Sequence, residues 1–193
     1  MKIIYKDFDV ENITIEKSKT MDYTYNILYN NQPLELRCPK LTNYEEVDNR
    51  MIYFNITRNK SIINILSELN KKIIEFIINN NLLGKEKDLF YIEDIFKNNM
   101  NVISDGRIIW KCNIPKGLKM YDRDARLVSS ITLDETIEND DEVAPLLCLS
   151  YLRITKGTVK ANWDMTEVRF TKQITDCQIS DVESDSEADY DEY

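Results

Sequence analysis

Histidine is absent from all 193 residues. That removes the commonest general base and the commonest metal ligand together. Glycine occurs only four times, too few to build a phosphate-cradling loop, and no P-loop, dinucleotide-binding or nucleophile-elbow pattern exists. The four cysteines, Cys38, Cys112, Cys148 and Cys177, are scattered without CxxC spacing. They read as reduced thiols; zinc is disfavoured and no cofactor is expected. A cysteine nucleophile would need an imidazole-like base, and none is encoded. No run of 18 apolar residues is present, so no membrane-spanning helix is predicted. The start, MKIIYKDFDV, has neither an uninterrupted apolar stretch nor a small-residue cleavage site. It is not read as a signal peptide, and an intracellular protein is expected. Acidic pairs such as Glu45-Glu46 and Asp140-Asp141 lie in polar loops and read as solvated surface. The sum of these absences argues against an enzyme.

What is present divides into two parts of different charge. The last thirteen residues, DVESDSEADYDEY, hold seven acids, no base and a terminal aromatic. Such a segment cannot bury enough apolar surface to offset its ordering entropy, so residues 176–193 are expected to form a disordered acidic tail. The whole chain carries −9, but without those seven acids the body has 27 acids against 25 bases. A nearly neutral body with a movable anionic arm is a different electrostatic object from a uniformly acidic protein. Residues 1–175 are expected to form one domain, with 42% hydrophobic content for its core. Asn and Ile are abundant and Ala scarce, a bias that suits an AT-rich genome.

Periodicity sets the expected elements. Ile3 to Thr14 reads as one or two short strands. Asp22 to Tyr29 and Leu34 to Cys38 read as a hairpin about Asn30-Asn31. Lys40 to Arg50 is polar and reads as loop. Met51 to Arg58 is a strand, with Ile52, Phe54 and Ile56 on one face and Tyr53, Asn55 and Thr57 on the other. A helix capped by Ser61 is predicted to about Asn79, with Ile62, Ile65, Leu66, Leu69, Ile73, Phe76 and Ile77 in one stripe. A second, from about Glu86 to Asn98, turns Leu89, Phe90, Ile92, Ile95 and Phe96 inward. Strands resume at Val102: a hairpin at Asp105-Gly106, then Arg107 to Ile114, Leu127 to Leu133, Val143 to Ile154, Thr158 to Trp163 and Glu167 to Thr171. Asp134 to Glu142 reads as an exposed loop. Many short strands with a helical insertion at about 60–99 predict a mainly β fold, a closed or nearly closed antiparallel barrel.

Cations are unevenly spread over this barrel. Arg107 to Arg126 holds six bases against two acids, and Arg153 to Lys172 holds five against two. Both windows contain aromatics: Trp110 and Tyr121 in the first, Tyr151, Trp163 and Phe170 in the second. Single-stranded nucleic acid needs flat rings for its bases and cations along its backbone. The expected contacts are Lys111, Lys116, Lys119, Arg123, Arg153, Lys156, Lys160 and Trp163. Trp110 is expected in the core, and the Tyr23, Tyr25 and Tyr29 face, with Arg37, is a further candidate. The tail acids Asp181, Glu183, Asp185, Glu187, Asp189, Asp191 and Glu192 would compete with nucleic acid for a basic groove. Tyr190 and Tyr193 would give the released tail an apolar anchor on a partner.

A barrel interrupted by a helix and followed by an acidic tail ending in an aromatic resembles the OB-fold single-stranded DNA-binding proteins of bacteriophages. It also resembles their relatives in large nucleocytoplasmic DNA viruses. The carrying stretches are DVESDSEADYDEY, YNNQPLELRCPK (Tyr29 to Lys40) and RIIWKCNIPKG (Arg107 to Gly117). The resemblance implies non-catalytic binding of single-stranded DNA in viral replication or recombination. It also implies a homodimer helped by the tail, recruitment of replication proteins, and residence in host cytoplasm or at a viral replication site. The rival reading is a virion structural or assembly protein, a minor capsid component. In that case the Leu146 to Leu152 strand and the helix stripe would bury against other subunits.

Overall fold

Alternation of inward and outward side chains, interrupted where the two longest strands carry consecutive buried residues, builds a closed ring of five strands in the computed structural model, which describes residues 2–45, 47, 50–84, 89–97, 99–128 and 132–174. The strands are β1 (Leu41–Asn43), β2 (Met51–Asn55), β3 (Ile108–Asn113), β4 (Glu142–Thr155) and β5 (Thr158–Phe170). Around the ring the order is β1-β2-β3-β5-β4 and back to β1. Only the β3–β5 contact, Asn113 beside Asp164, is parallel; the other four are antiparallel. This is the arrangement of an OB barrel, as the strand count and helical insertion predict.

One face of each strand fills the barrel. Ile52 and Phe54 lie opposite Cys112 and Trp110, and all four are fully buried. Trp110 meets Trp163 edge to face at 5.2 Å, an arrangement favoured by the ring quadrupoles. β4 organises the rest of the sheet. One of its edges runs along β5. Its other edge pairs successively with β1, with Glu35–Arg37 and with Thr24–Tyr29. The bulk of the helical insertion is α1 (Lys60–Asn79), whose stripe of Ile62, Ile65, Leu66, Leu69, Ile73, Ile74 and Ile77 is buried. It is tied to the N-terminal segment by Lys72 Nζ, which donates to the Val10 carbonyl at 2.8 Å, and by Phe76 packed edge to face on Tyr25. α2 (Leu89–Ile95) leads straight into a short strand, Phe96–Lys97, paired with Val159 and Lys160 of β5.

Several expectations need correction. The expected hairpin partner of Thr24–Tyr29 is a two-residue strand, Gln32–Pro33; Glu35–Arg37 pairs instead between Lys2–Ile4 and β4. Pro33 has no N–H, so the ladder cannot run past it. Asn59, not Ser61, precedes α1, because its N–H closes a turn onto the Ile56 carbonyl and starts the helix early. Leu89 and Phe90 are exposed, the latter 78%. A seven-residue helix buries one narrow stripe, here Ile92 and Ile95. The acidic loop after residue 132 opens with α3 (Leu133–Thr136), held by a capping box between Thr132 and Glu135. Finally, the two last strands are one, β5, which passes through Asp164 without a break. The Asp164 carboxylate is satisfied within the sheet by the Asn113 side chain, which donates at 2.7 Å, and by the Ser150 hydroxyl.

Candidate nucleic-acid interface

The polar faces of β2 and β3 point away from the barrel core. Tyr44 follows β1, and its N–H donates to the Tyr53 carbonyl at 2.8 Å. Tyr53 stands opposite Lys111 in the β2–β3 register. Two tyrosines and a lysine therefore form a row across three strands. Both rings carry a cation. The Lys111 ammonium lies 5.1 Å from the centre of Tyr53, and the Arg107 guanidinium carbon lies 4.5 Å from the centre of Tyr44. Such contacts are worth about 0.5–1 kcal/mol at exposed sites.

Beside this row runs a cleft of about 580 Å³, lined by Met51, Asn99, Asn101, Lys111, Asn113 and Lys160 among others. Here the two basic windows meet, Lys111 from the first and Lys160 from the second. Asn99 Nδ2 donates to the Lys111 carbonyl at 2.9 Å and fixes the cleft wall. Lys160 is directly opposite Arg153 on β4, and both are exposed. Like charges facing one another across a ladder repel, and neither has a carboxylate partner among the described residues. Lys156 occupies the exposed turn between β4 and β5, where its carbonyl accepts from the Tyr91 hydroxyl at 2.9 Å. That bond fastens α2 to the hairpin tip. Lys111, Arg153, Lys156 and Lys160 thus share one end of the barrel.

The remaining predicted residues lie elsewhere. Lys116 borders a separate cavity of about 470 Å³ with Arg50, Ile114, Leu118, Leu133 and Asp134. Lys119 lies 4.0 Å from Glu167, a carboxylate already bound by Lys2 at 2.7 Å. Glu167 is seven residues along β5 from Lys160, about 23 Å at strand rise. The Arg123 carbonyl accepts from Arg169, and its guanidinium is 3.9 Å from Asp124. Trp163, expected to stack on bases, is 3% exposed and belongs to the core. It falls in register with the inward positions Val159, Ala161 and Met165, and that alternation was the signal for burial. Phe170 is likewise buried. In the Tyr23, Tyr25 and Tyr29 group only Tyr23 is exposed. Tyr29 is buried, with its hydroxyl accepting from Asn12. The tail residues Asp181 to Tyr193, and Cys177, lie outside the described residues.

The two half-buried rings of this row carry a weaker signal in the sequence than the tryptophans. Tyr53 follows from alternation along β2. Tyr44 sits in a polar stretch read as loop, and only the Tyr44–Tyr53 backbone bond places it. Among the described residues, no group of three or more His, Cys, Asp or Glu could hold a metal ion.

The barrel and its flanking elements are similar to two solved structures. One is the single-stranded DNA-binding protein from bacteriophage Enc34, with a TM-score of 0.51 and 11% identity, covering 90% of this chain and 98% of that one. The other is gp2.5, a single-stranded DNA-binding protein encoded by bacteriophage T7, with a TM-score of 0.51 and 9% identity, covering 81% and 98%. At identities this low the likeness shows the fold alone. No protein-family model matches the chain, and no curated protein sequence does.

Proposed function

We propose that the chain binds single-stranded DNA, without chemistry, through the outer face of β2 and β3 and the β4–β5 hairpin. The observation that carries this reading is the row Tyr44–Tyr53–Lys111, flanked by Arg153 and Lys160, which have no carboxylate partner among the described residues. In OB folds the face of the second and third strands and the loop joining the fourth and fifth are the oligonucleotide-binding surfaces, and both are furnished here. Tyrosine faces stack on bases without regard to sequence. The cations meet phosphates, and Asn99, Asn101 and Asn113 offer amides along the cleft. The two proteins that share the fold are themselves single-stranded DNA-binding proteins of phages, which supports a role in viral DNA replication or recombination.

The acidic tail, Asp181 to Tyr193, competes with DNA for this face and, once displaced, engages replication proteins or a second copy of the chain. A mobility shift with full-length chain and a chain ending at Ser180 tests both parts. The expected result is preference for single over double strands, steep weakening with salt, and tighter binding after truncation. No preference would overturn the DNA assignment; unchanged affinity on truncation would overturn the competition.

A further inference from the structure

Among the described residues, Arg107 is the cation on this face whose charge is matched by a carboxylate. Asp105, two residues earlier in the turn before β3, uses its whole carboxylate on it. Oδ1 accepts the Arg107 backbone N–H at 3.0 Å, while Oδ2 accepts Nε at 2.6 Å and pairs with Nη2. The hydrogen bonds from Arg107 hold the Asp105 carboxyl below its usual range. Gly106 supplies the turn geometry at φ +83°, a backbone conformation that favours glycine. The guanidinium is then laid over the Tyr44 ring, with the side chain still 44% exposed.

On the reading proposed above, we infer that Arg107 serves as a base-stacking shelf, fixed on Tyr44 by Asp105, and not as a phosphate contact. Asp105 already neutralises the guanidinium and occupies Nε and one side of Nη2, so a phosphate reaching the remaining N–H groups would meet a charge that is already matched. A nucleobase needs only the free face of a planar, weakly hydrated cation, which guanidinium provides and ammonium does not. Lys111 is the opposite case: it has no carboxylate partner among the described residues and is free to leave Tyr53 for the backbone. Asp105 is therefore a positioning residue, and its negative charge helps a negatively charged ligand to bind.

The test is fluorescence anisotropy of a labelled oligothymidylate of about 15 nucleotides, within the range of OB-fold site sizes. It uses the full chain with Arg107→Lys, Arg107→Ala and Asp105→Asn across a salt series. Arg107→Lys is expected to weaken binding about as much as Arg107→Ala, roughly 5- to 20-fold. Asp105→Asn is expected to weaken it severalfold despite removing an anion, with the salt slope of Arg107→Ala unchanged. A phosphate contact gives the reverse pattern: tighter binding by Asp105→Asn, near-normal Arg107→Lys, and a slope smaller by about 0.7 for Arg107→Ala. That pattern would overturn the shelf and leave the binding face standing. Failure of the unaltered chain to bind the oligonucleotide would overturn both. Equal melting temperatures for the variants separate these losses from damage to the turn.

Discussion

Tyr53 owes its place to a period of two. Ile52 and Phe54 are drawn into the core, and Tyr53 is turned outward with Lys111 beside it. Loss of its ring costs stacking and nothing in the barrel interior. Tyr53→Ala is expected to weaken single-stranded DNA binding by about 1–3 kcal/mol, roughly 5- to 150-fold, with little change in melting temperature, read by titration and calorimetry. The thiols make a prediction about stability. Burial pushes the Cys38 and Cys112 thiols well above their ordinary range. An unfolded thiol titrates near 8.5. Below about pH 8.5 both states keep the proton and stability is unaffected; above it, only the folded state does, so stability falls as pH rises. Urea midpoints at pH 7.5 and 9.5 should show that fall, by up to about 1.4 kcal/mol per pH unit for each thiol. Replacing both cysteines with alanine should flatten it. Residue alternation was legible where a strand is regular, as at Tyr53. Trp163 was misread because Asp164 looked like a strand end, and nothing local shows that Asn113 and Ser150 satisfy that carboxylate from two other strands.

At the level of elements, the β4–β5 hairpin sets two cations against each other, Arg153 and Lys160. Lys160→Glu converts a repulsive cross-strand pair into an attractive one, a gain of about 0.2–1 kcal/mol. The same change is expected to cut DNA affinity about tenfold, by removing a cation and adding an anion beside the nucleic-acid backbone. Thermal melting and DNA titration should therefore move in opposite directions. A melting temperature and an affinity that both rise would show that the hairpin is not a binding element. Strand existence and the long α1 were readable from periodicity. Pairing was not. β4 has register shifts between Leu146 and Leu147 and between Leu149 and Tyr151, and such bulges change which side chains share a face without any mark in composition. The grouping of Lys160 with Lys111, rather than with Lys119, follows from the β3–β5 contact at Asn113 and Asp164 and from the pairing of Lys119 with Glu167, neither of which composition shows.

For the whole molecule, the OB barrel was expected from many short strands around a helical insertion, and its ring order bears this out. Charge was legible as a total and not as a map. Eleven bases in two windows read as one basic cradle, yet the fold sends Lys116, Lys119 and Arg123 away from the end where Lys111, Arg153, Lys156 and Lys160 gather. The proposed binding face is thus smaller than the basic windows suggest, and it includes two tyrosines that lie outside them.

Ultraviolet cross-linking of a bromouracil-substituted single strand, with the attached peptides mapped by mass spectrometry, tests that placement most directly. The predicted adducts fall on Tyr44, Tyr53 and the β4–β5 hairpin. Adducts confined to residues 116–126, with Tyr44 and Tyr53 unlabelled, would contradict it.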